Sequence, residues 1–488
     1  MIVPRVEGTL QLVQEPGGRL RAAGARPRGI ERLLLGRSPL EAVYLSQQAS
    51  AHSGVSHALA AVRAWEDAGK LPVAPNGVLL RELLHLLSFL HGHVQHFYFQ
   101  TLPDYLPLSA WVPPLDENGP AARIASGIVA SAAKIWEPPP FQSRFDEGAR
   151  RRFAERTVEA VRTLSSLQRM MSVIGGKFPV VMSIAPGGIT MALDEAGVLR
   201  LLEYLQHLEP FLTEAVLDDG LSLIDRYPET LTLGKGGANF ISLGSTPADE
   251  TGEAGLFPTS VLLGRRLQGL TLPITESIGR AYYRVPRGGG GHGPIVEEAL
   301  GKPGAYSWIK APRVGGSAVE TGAIGRLVIT QLAGIHGRAS GMAALVQEQL
   351  GVPLEESNTV AGRIVARLGE LDLIFRRCRE ILEKLAPGEP FLDNSADPSG
   401  LSGEGVGQIE SPSGAVRHHM VVEDGRIGYY DIIAASTWNG SSQDENEVNG
   451  PLDTALGQRA WDLQDGDDRL DLSRIVHAFA FSATDAVH

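Results

Sequence analysis

Cysteine is almost absent from this sequence. Its 488 residues include a single cysteine, Cys378. One thiol excludes a disulfide framework within the chain, an all-cysteine zinc or iron–sulfur site, and a CxxC redox pair. This scarcity is the most restrictive property of the composition.

Basic residues are outnumbered, and long apolar runs are missing. The 44 Lys and Arg against 56 Asp and Glu give a formal net charge of −12. No basic block offsets this balance, so binding to nucleic acid or directly to an acidic membrane is not expected.

No segment approaches the about 18 apolar residues of a spanning helix. Residues 1–15 lack a signal-peptide pattern, so we expect a cytoplasmic protein, although export with a signal-bearing partner would leave the same trace.

The pattern of apolar residues predicts a mixed fold dominated by long helices. Leucines fall all round a helix at 79–102, which predicts a buried helix in a bundle. No clean linker separates the helical from the strand-bearing stretches, so we predict one α+β domain, mainly α, over residues 1–488. The other predicted elements are strands within 2–26, helices at 57–67, 146–172, 319–349 and 355–385, and a hairpin at 420–436.

Short motifs follow one another along the whole sequence. They include RVEG (5–8), PRGIERLLLGR (27–37), SHALAAVRAWED (56–67), HVQHFYFQTLPDY (93–105), GANFISLG (237–244), YSWIKAPR (306–313), GEGVGQIESPSG (403–414) and STWNGSSQD (436–444). In this order they resemble the large subunit of [NiFe]-hydrogenases from end to end. The resemblance implies that family's fold, a central bundle of long helices with small peripheral sheets. It also implies a family activity, hydrogen:acceptor oxidoreductase.

The chemistry of that family depends on four cysteines that this sequence lacks. The family's CxxCxxxH motif corresponds to residues 50–57, and its DPCxxCxxH motif corresponds to residues 480–488. The spacing to the two motif histidines is preserved, but the cysteine positions hold Ser50, Ser53, Ser482 and Asp485. A thiolate is a soft ligand that can bridge two metals, whereas serine stays a neutral, hard hydroxyl. We therefore expect no Ni–Fe(CN)₂(CO) centre and no hydrogenase activity.

Other residues of the family's site are partly lost and partly kept. Ser413 corresponds to the family's arginine above the metals, and Ala480 corresponds to the aspartate of the DPC motif. Glu7 matches the family's proton-relay glutamate, and Asp104 matches an acid near the pocket. A retained acid–base path is one interpretation of Glu7. We favour the other, in which Glu7 bonds serine hydroxyls and backbone groups.

Two hypotheses concern metals. Glu31 and His488 match residues that help hold a structural magnesium or iron ion in the family, and their donor types suit a divalent cation. Alternatively, His488 is anchored by hydrogen bonds alone. The second hypothesis is that a different metal binds at the former nickel–iron site, because His52, His57 and Asp485 are residue types that bind zinc and non-haem iron. A water-filled polar cavity is the interpretation we prefer there.

These observations predict a catalytically degenerate large-subunit homologue. It would act as a structural or assembly subunit, paired with an iron–sulfur protein like the family's small subunit or with maturation factors. Iron–sulfur clusters would lie only in the partner, and contact with a membrane would be indirect. The alternative function is a metalloenzyme or sensor that uses a metal at His52, His57 and Asp485.

Overall fold

The computed structural model combines long helices with short sheets. It describes residues 1–24, 29–107, 141–245, 255–285, 296–334, 338–395 and 400–486, and the isolated residues 119, 123 and 127. The helices are α1 Ile30–Leu34, α2 Pro39–Leu45, α3 Gly54–Gly69, α4 Pro75–His96, α5 Glu147–Gly175, α6 Glu195–Pro210, α7 Val216–Arg226, α8 Ala323–Leu332, α9 Arg338–Leu350, α10 Val360–Lys384, α11 Ala435–Asn439, α12 Pro451–Leu456 and α13 Gly466–Ala478. In the described residues, no helix is long and apolar enough to span a bilayer.

The strands form small antiparallel sheets around these helices. They are β1 Leu10–Gln14, β2 Leu20–Gly24, β3 Ile184–Ala185, β4 Gly188–Ile189, β5 Phe240–Leu243, β6 Thr259–Leu263, β7 Arg266–Gly269, β8 Ile274–Ser277, β9 Tyr283–Arg284, β10 Glu297–Glu298, β11 Ala311–Val314, β12 Gly403–Ser411, β13 Gly414–Glu423 and β14 Arg426–Ile433. Three-stranded sheets have the orders β5-β6-β7 and β12-β13-β14, and the pairs are β1-β2, β3-β4, β8-β11 and β9-β10. The predicted α+β architecture is confirmed.

Helix α4 occupies the centre of the molecule. Pro75 stands at its first position, where a missing N–H costs no helical hydrogen bond. Nearly all of its side chains are buried, and α5 and α10 pack against it. The predicted buried helix at 79–102 is therefore confirmed up to His96. Beyond it the chain passes through the π-helical turn Phe97–Thr101 into a 3₁₀ turn that places Asp104 in the interior.

Helix α3 lies unusually close to the sheet β12-β13-β14. Glycines at alternate positions of β12 face the helix, and a Cβ on Gly407 would lie 1.8 Å from the Ala60 carbonyl oxygen. A Cβ on Gly405 would lie 2.1 Å from the carbonyl oxygen of Ala64. These clearances require residues without side chains. The contact fixes the start of α3 relative to the turn that joins β12 to β13.

Several local predictions differ from the structure. The predicted helix at 319–349 is two helices, α8 and α9, and strand β12, which precedes the predicted hairpin, was not predicted. Helices α6 and α7 were not predicted. The N-terminal hairpin and the hairpin of β13 and β14 are confirmed.

The close packing of α3 on β12 makes Gly407 intolerant of a side chain. Gly407→Ala is expected to destabilise the protein by about 3 kcal/mol or more, because its Cβ would overlap the α3 backbone. The midpoint of urea unfolding measures the change. Gly269→Ala in β7 is the matched control, since a Cβ there meets nothing within 4 Å. Equal midpoints for the two variants would contradict the packing argument.

Candidate functional site

Two motifs that are far apart in the chain meet at one place. Ser50 and Ser53 lie just before α3, and Ser482 follows α13. The hydroxyls of Ser50 and Ser482 both donate to Oε2 of Glu7, at 3.0 and 2.8 Å. The structure therefore brings together both motifs at which the resemblance implies cysteines.

Main-chain contacts fix Glu7 in this position. It forms a parallel bridge with Ser482, and its carbonyl oxygen accepts from the N–H of Ala483 at 2.8 Å. Its Oε1 accepts from the N–H of Ala51 at 2.8 Å. The next residue, Gly8, has a φ of 80°, and a Cβ on it would lie 2.9 Å from the Thr484 methyl group. The turn after Glu7 consequently requires glycine.

The serine hydroxyls also accept hydrogen bonds from the backbone. Ser50 Oγ accepts from the N–H groups of His52 and Ser53, at 3.2 and 3.3 Å. Ser482 Oγ accepts from the N–H of Asp485 at 3.1 Å. Each hydroxyl thus donates to Glu7 and accepts from the turn that follows it. These contacts give Glu7 the role of a hydrogen-bond acceptor, and the choice between that role alone and a proton relay stays a prediction.

A row of buried titratable groups begins at Asp485. Oδ1 of Asp485 is 2.8 Å from Nε2 of His57, and Nδ1 of His57 is 2.9 Å from Nε2 of His418. The row ends at Tyr430, whose hydroxyl is 2.7 Å from Nδ1 of His418. Burial and the charge of Glu31 raise the Tyr430 pKa well above its usual value. With Tyr430 protonated, a consistent assignment directs every donor in the row toward the Asp485 carboxylate.

Asp104 belongs to a separate ion cluster. It pairs with Arg5 and with Nδ1 of His477, and its backbone carbonyl accepts from Arg474. Burial raises the pKa of Asp104, but Arg5 and His477 outweigh burial and leave the pKa lowered. None of its hydrogen bonds within the described residues reaches Glu7 or Asp485. Asp104 is therefore a structural anchor between the N-terminal segment, the turn after α4 and α13.

His52 does not join the His57–Asp485 pair. Its Nε2 accepts from the Gln100 amide nitrogen at 3.2 Å, and burial lowers its pKa despite the nearby charges of Glu7 and Asp485. In the described ranges, no group of three His, Cys, Asp or Glu side chains could hold a metal ion. The rebuilt centre of His52, His57 and Asp485 thus gains no support from this geometry.

Ser413 lies in the turn between β12 and β13, and it is buried. Together with Pro412 it lines a cavity of about 10 Å³ beside α4 and α10. His52 and Ala480 line the same cavity. The position where the resemblance implies an arginine is therefore part of the wall of a small cavity.

Glu31 lies in a cluster of carboxylates that surrounds Lys310. Nζ of Lys310 donates to Glu31 at 3.1 Å, to Glu276 at 2.9 Å and to Asp431 at 3.1 Å. Burial raises the pKa of Glu31 to about 7, although Lys310 opposes the shift. Oxygen donors of this kind fit a hard divalent cation. His488 lies outside the described residues, so the magnesium or iron site of Glu31 and His488 stays a prediction.

The residues at the four cysteine positions do not fit a thiolate-bound nickel–iron centre. They offer hydroxyl and carboxylate oxygen atoms, and the hydroxyls of Ser50 and Ser482 are engaged by Glu7. The one thiol, Cys378, is buried in α10, and burial raises its pKa. A protonated thiol in the core is inert as a ligand.

Three contributing residues were not identified from the sequence. His418 and Tyr430 extend the row from Asp485, and Lys310 supplies the positive charge at the centre of the Glu31 cluster. A signal for His418 was present, because alternation along β13 places it on the buried face with Val416 and Met420. The lysine within the apolar motif YSWIKAPR was a comparable signal.

Comparisons with known proteins agree with the resemblance along the chain. The family model described as nickel-dependent hydrogenase matches residues 28–113 and 142–488. The chain is 25% identical to the hydrogenase-2 large chain of Escherichia coli K12 over 549 aligned positions, covering 100% of this chain and 96% of that protein. It is 26% identical to the periplasmic [NiFeSe] hydrogenase large subunit of Desulfomicrobium baculatum, covering 93% and 87%.

Solved structures show the same fold. The oxidised Ni-Fe-Se hydrogenase of Desulfovibrio vulgaris Hildenborough aligns with a TM-score of 0.84 and 24% identity, covering 100% of this chain and 99% of that chain. The H2-activated Desulfomicrobium baculatum enzyme aligns with a TM-score of 0.82, covering 99% and 98%. The predicted large-subunit-like architecture is confirmed.

Replacing Glu7 tests its structural role. In Glu7→Gln the side-chain NH₂ would face N–H and O–H groups that donate hydrogen bonds to the carboxylate in the wild type. The free energy of unfolding is therefore expected to fall by about 1–3 kcal/mol. Urea unfolding measures the loss, with exposed Glu298→Gln as the control. A Glu7→Gln variant as stable as the control would contradict this role.

His91 on α4 should contribute to acid sensitivity. Burial, with repulsion from His52, lowers its pKa from 6.5 to about 4. The neutral ring therefore favours the folded state above about pH 6.5, and this contribution, at most about 3 kcal/mol, disappears as the pH falls toward 4. In His91→Gln the unfolding midpoint should fall less steeply over this range. Exposed His207→Gln is the control, and parallel pH curves for wild type and His91→Gln would refute the expectation.

Proposed function

Since this chain belongs to the nickel-dependent hydrogenase family, we propose that it is a large-subunit homologue without a nickel–iron centre of its own. It acts as a structural or assembly subunit, paired with an iron–sulfur protein like the family's small subunit. Together they form a cytoplasmic redox complex in which the partner carries the clusters and the electrons.

One observation carries this proposal, which is the internal bonding of the groups at the former ligand positions. A metal would have to displace the hydrogen bonds of Ser50 and Ser482 to Glu7 and the contact of Asp485 with His57. It would gain neutral hydroxyl oxygens in exchange, which bind nickel weakly compared with thiolates. The polar groups are satisfied by one another, as expected of a site maintained for folding rather than for metal chemistry.

The partner follows from the length and names of the relatives. The chain covers nearly the whole of proteins called large chains or large subunits, and these names imply a smaller companion. This chain has the entire large-subunit fold although its residues at the ligand positions differ. It therefore presents the backbone surfaces on which a large subunit contacts its partner. This supports an assembly role more than an independent enzyme.

Metal analysis and activity test the absence of the centre. The full chain is produced in a host with hydrogenase maturation enzymes and compared with the E. coli hydrogenase-2 large chain prepared in parallel. We expect nickel well below one atom per chain and no hydrogen-dependent dye reduction. Stoichiometric nickel with hydrogen-dependent activity would overturn the proposal.

Co-expression tests the partner. The chain is co-expressed with a small-subunit-like iron–sulfur protein encoded in the same genome, with the affinity tag on the chain alone. A stable complex that contains iron, sulfide and the visible absorption of the clusters is expected. A monodisperse monomer that excludes the iron–sulfur protein would contradict the assembly role. Zinc or iron bound to the chain alone, and lost in His57→Ala, would instead favour the metalloprotein alternative.

A further inference from the structure

A small cavity lies between α4, α10 and the turn that joins β12 to β13. Its volume is about 10 Å³, which is room for one water molecule or one monatomic ion. Among the described residues, the wall contains an arginine and several histidines but no acidic side chain. The lining residues are His52, Gly92, His93, His96, Gln100, Arg367, Pro412, Ser413 and Ala480.

Arg367 brings a buried positive charge to this wall. It is 3% exposed, and its hydrogen bonds go to neutral groups, Nδ1 of His96 at 3.4 Å and the carbonyl oxygen of Ala478 at 3.1 Å. Its Nε is buried and has no hydrogen-bond partner within the described residues. An uncompensated buried cation is costly, so a counter-charge close to Arg367 would stabilise the fold.

Glu370 is the carboxylate whose charge favours protonated Arg367, but its oxygen atoms already accept hydrogen bonds from other residues. Both oxygens of Glu370 accept from Arg326, at 2.8 and 2.7 Å, and one of them also contacts Nε2 of His93 at 2.9 Å. Neighbouring Arg363 is held by Glu320. Burial, with repulsion from Arg326 and Arg363, lowers the Arg367 pKa to about 9, although the charge of Glu370 opposes the shift. The surroundings of Arg367 are therefore net unfavourable to its charge, and an anion in contact with the guanidinium would offset part of this cost.

The histidines on the wall add donors or neutral rings rather than negative charge. Nε2 of His96 lies 2.7 Å from the carbonyl oxygen of His477, so it carries the proton and leaves Nδ1 to accept from Arg367. Burial lowers the pKa of His93 to about 4. These rings are neutral at physiological pH and do not compensate Arg367.

Further donors line the opposite wall. The Gln100 amide gives one N–H to His52 and retains a second. The Ser413 hydroxyl has no hydrogen-bond partner within the described residues. We propose that the cavity is a binding site for a small monovalent anion of halide size, held by Arg367 with Gln100 or Ser413 as additional donors. This inference rests on the proposed absence of the nickel–iron centre, because Ser413 and Ala480, which correspond to residues of the family's metal site, line the cavity. Metal analysis and the bromide titration below test the two proposals separately.

Bromide titration of the full chain tests the site. Protein in a halide-free gluconate buffer is titrated with bromide at constant ionic strength, and the thermal unfolding midpoint is followed. A saturable rise is expected in the wild type, since a ligand that binds the folded state stabilises it. In Arg367→Gln the half-saturating concentration should rise by about tenfold or more, the loss typical of a hydrogen bond to a charged group. Arg376→Gln is the matched control, because Arg376 is on the same helix and is exposed.

A second variant and a direct measurement keep the test decisive if the Arg367→Gln variant does not fold. Ser413→Val fills the cavity while Arg367 stays in place, so it should also remove the saturable rise. Crystals grown with bromide should show an anomalous peak beside Arg367 in the wild type and none in Ser413→Val. A water molecule without anomalous signal in the wild type, or the same bromide response in the wild type and Ser413→Val, would overturn the proposal.

Discussion

The carboxylate of Glu7 holds together three parts of the chain that are distant in sequence. It accepts from Ser50 and Ala51 before α3 and from Ser482 after α13. Hydrogen bonds to a charged group contribute on the order of 1.5–3 kcal/mol each. The site, the row from Asp485 to Tyr430 and the wall of the cavity all rest on this junction, because each contains a residue from one of the joined segments.

Most buried charges elsewhere in the described interior have partners of opposite sign. Arg326 lies between Glu370 and Glu410, and Lys310 is surrounded by carboxylates. Such networks fix the relative positions of elements, since removing one partner leaves an uncompensated charge in the interior. Within the described residues, Arg367 differs from Arg363 on the same helix in having only neutral groups as hydrogen-bond partners.

The sequence was sufficient to predict the elements whose patterns are local. The leucines of α4 and the alternation of the terminal hairpins identified those elements, and the ordered motifs identified the fold. Strand β12 was not predicted because its glycines have low strand propensity, whereas the structure needs them for the approach to α3. His418 and Lys310 were missed for another reason. Their partners His57 and Glu31 are hundreds of residues away, and only the folded chain shows that they meet.

The glycines of β12 also explain why the motif spacing survives without the cysteines. Backbone atoms of α3 and β12 are in direct contact, so neither element can shift without separating the two, and the positions of residues 50–57 are set by steric fit. The backbone frame of residues 50–57 is thus held by the packing of α3 on β12. Intact spacing in a sequence of this kind reports a conserved backbone, and only the identity of the side chains reports the chemistry.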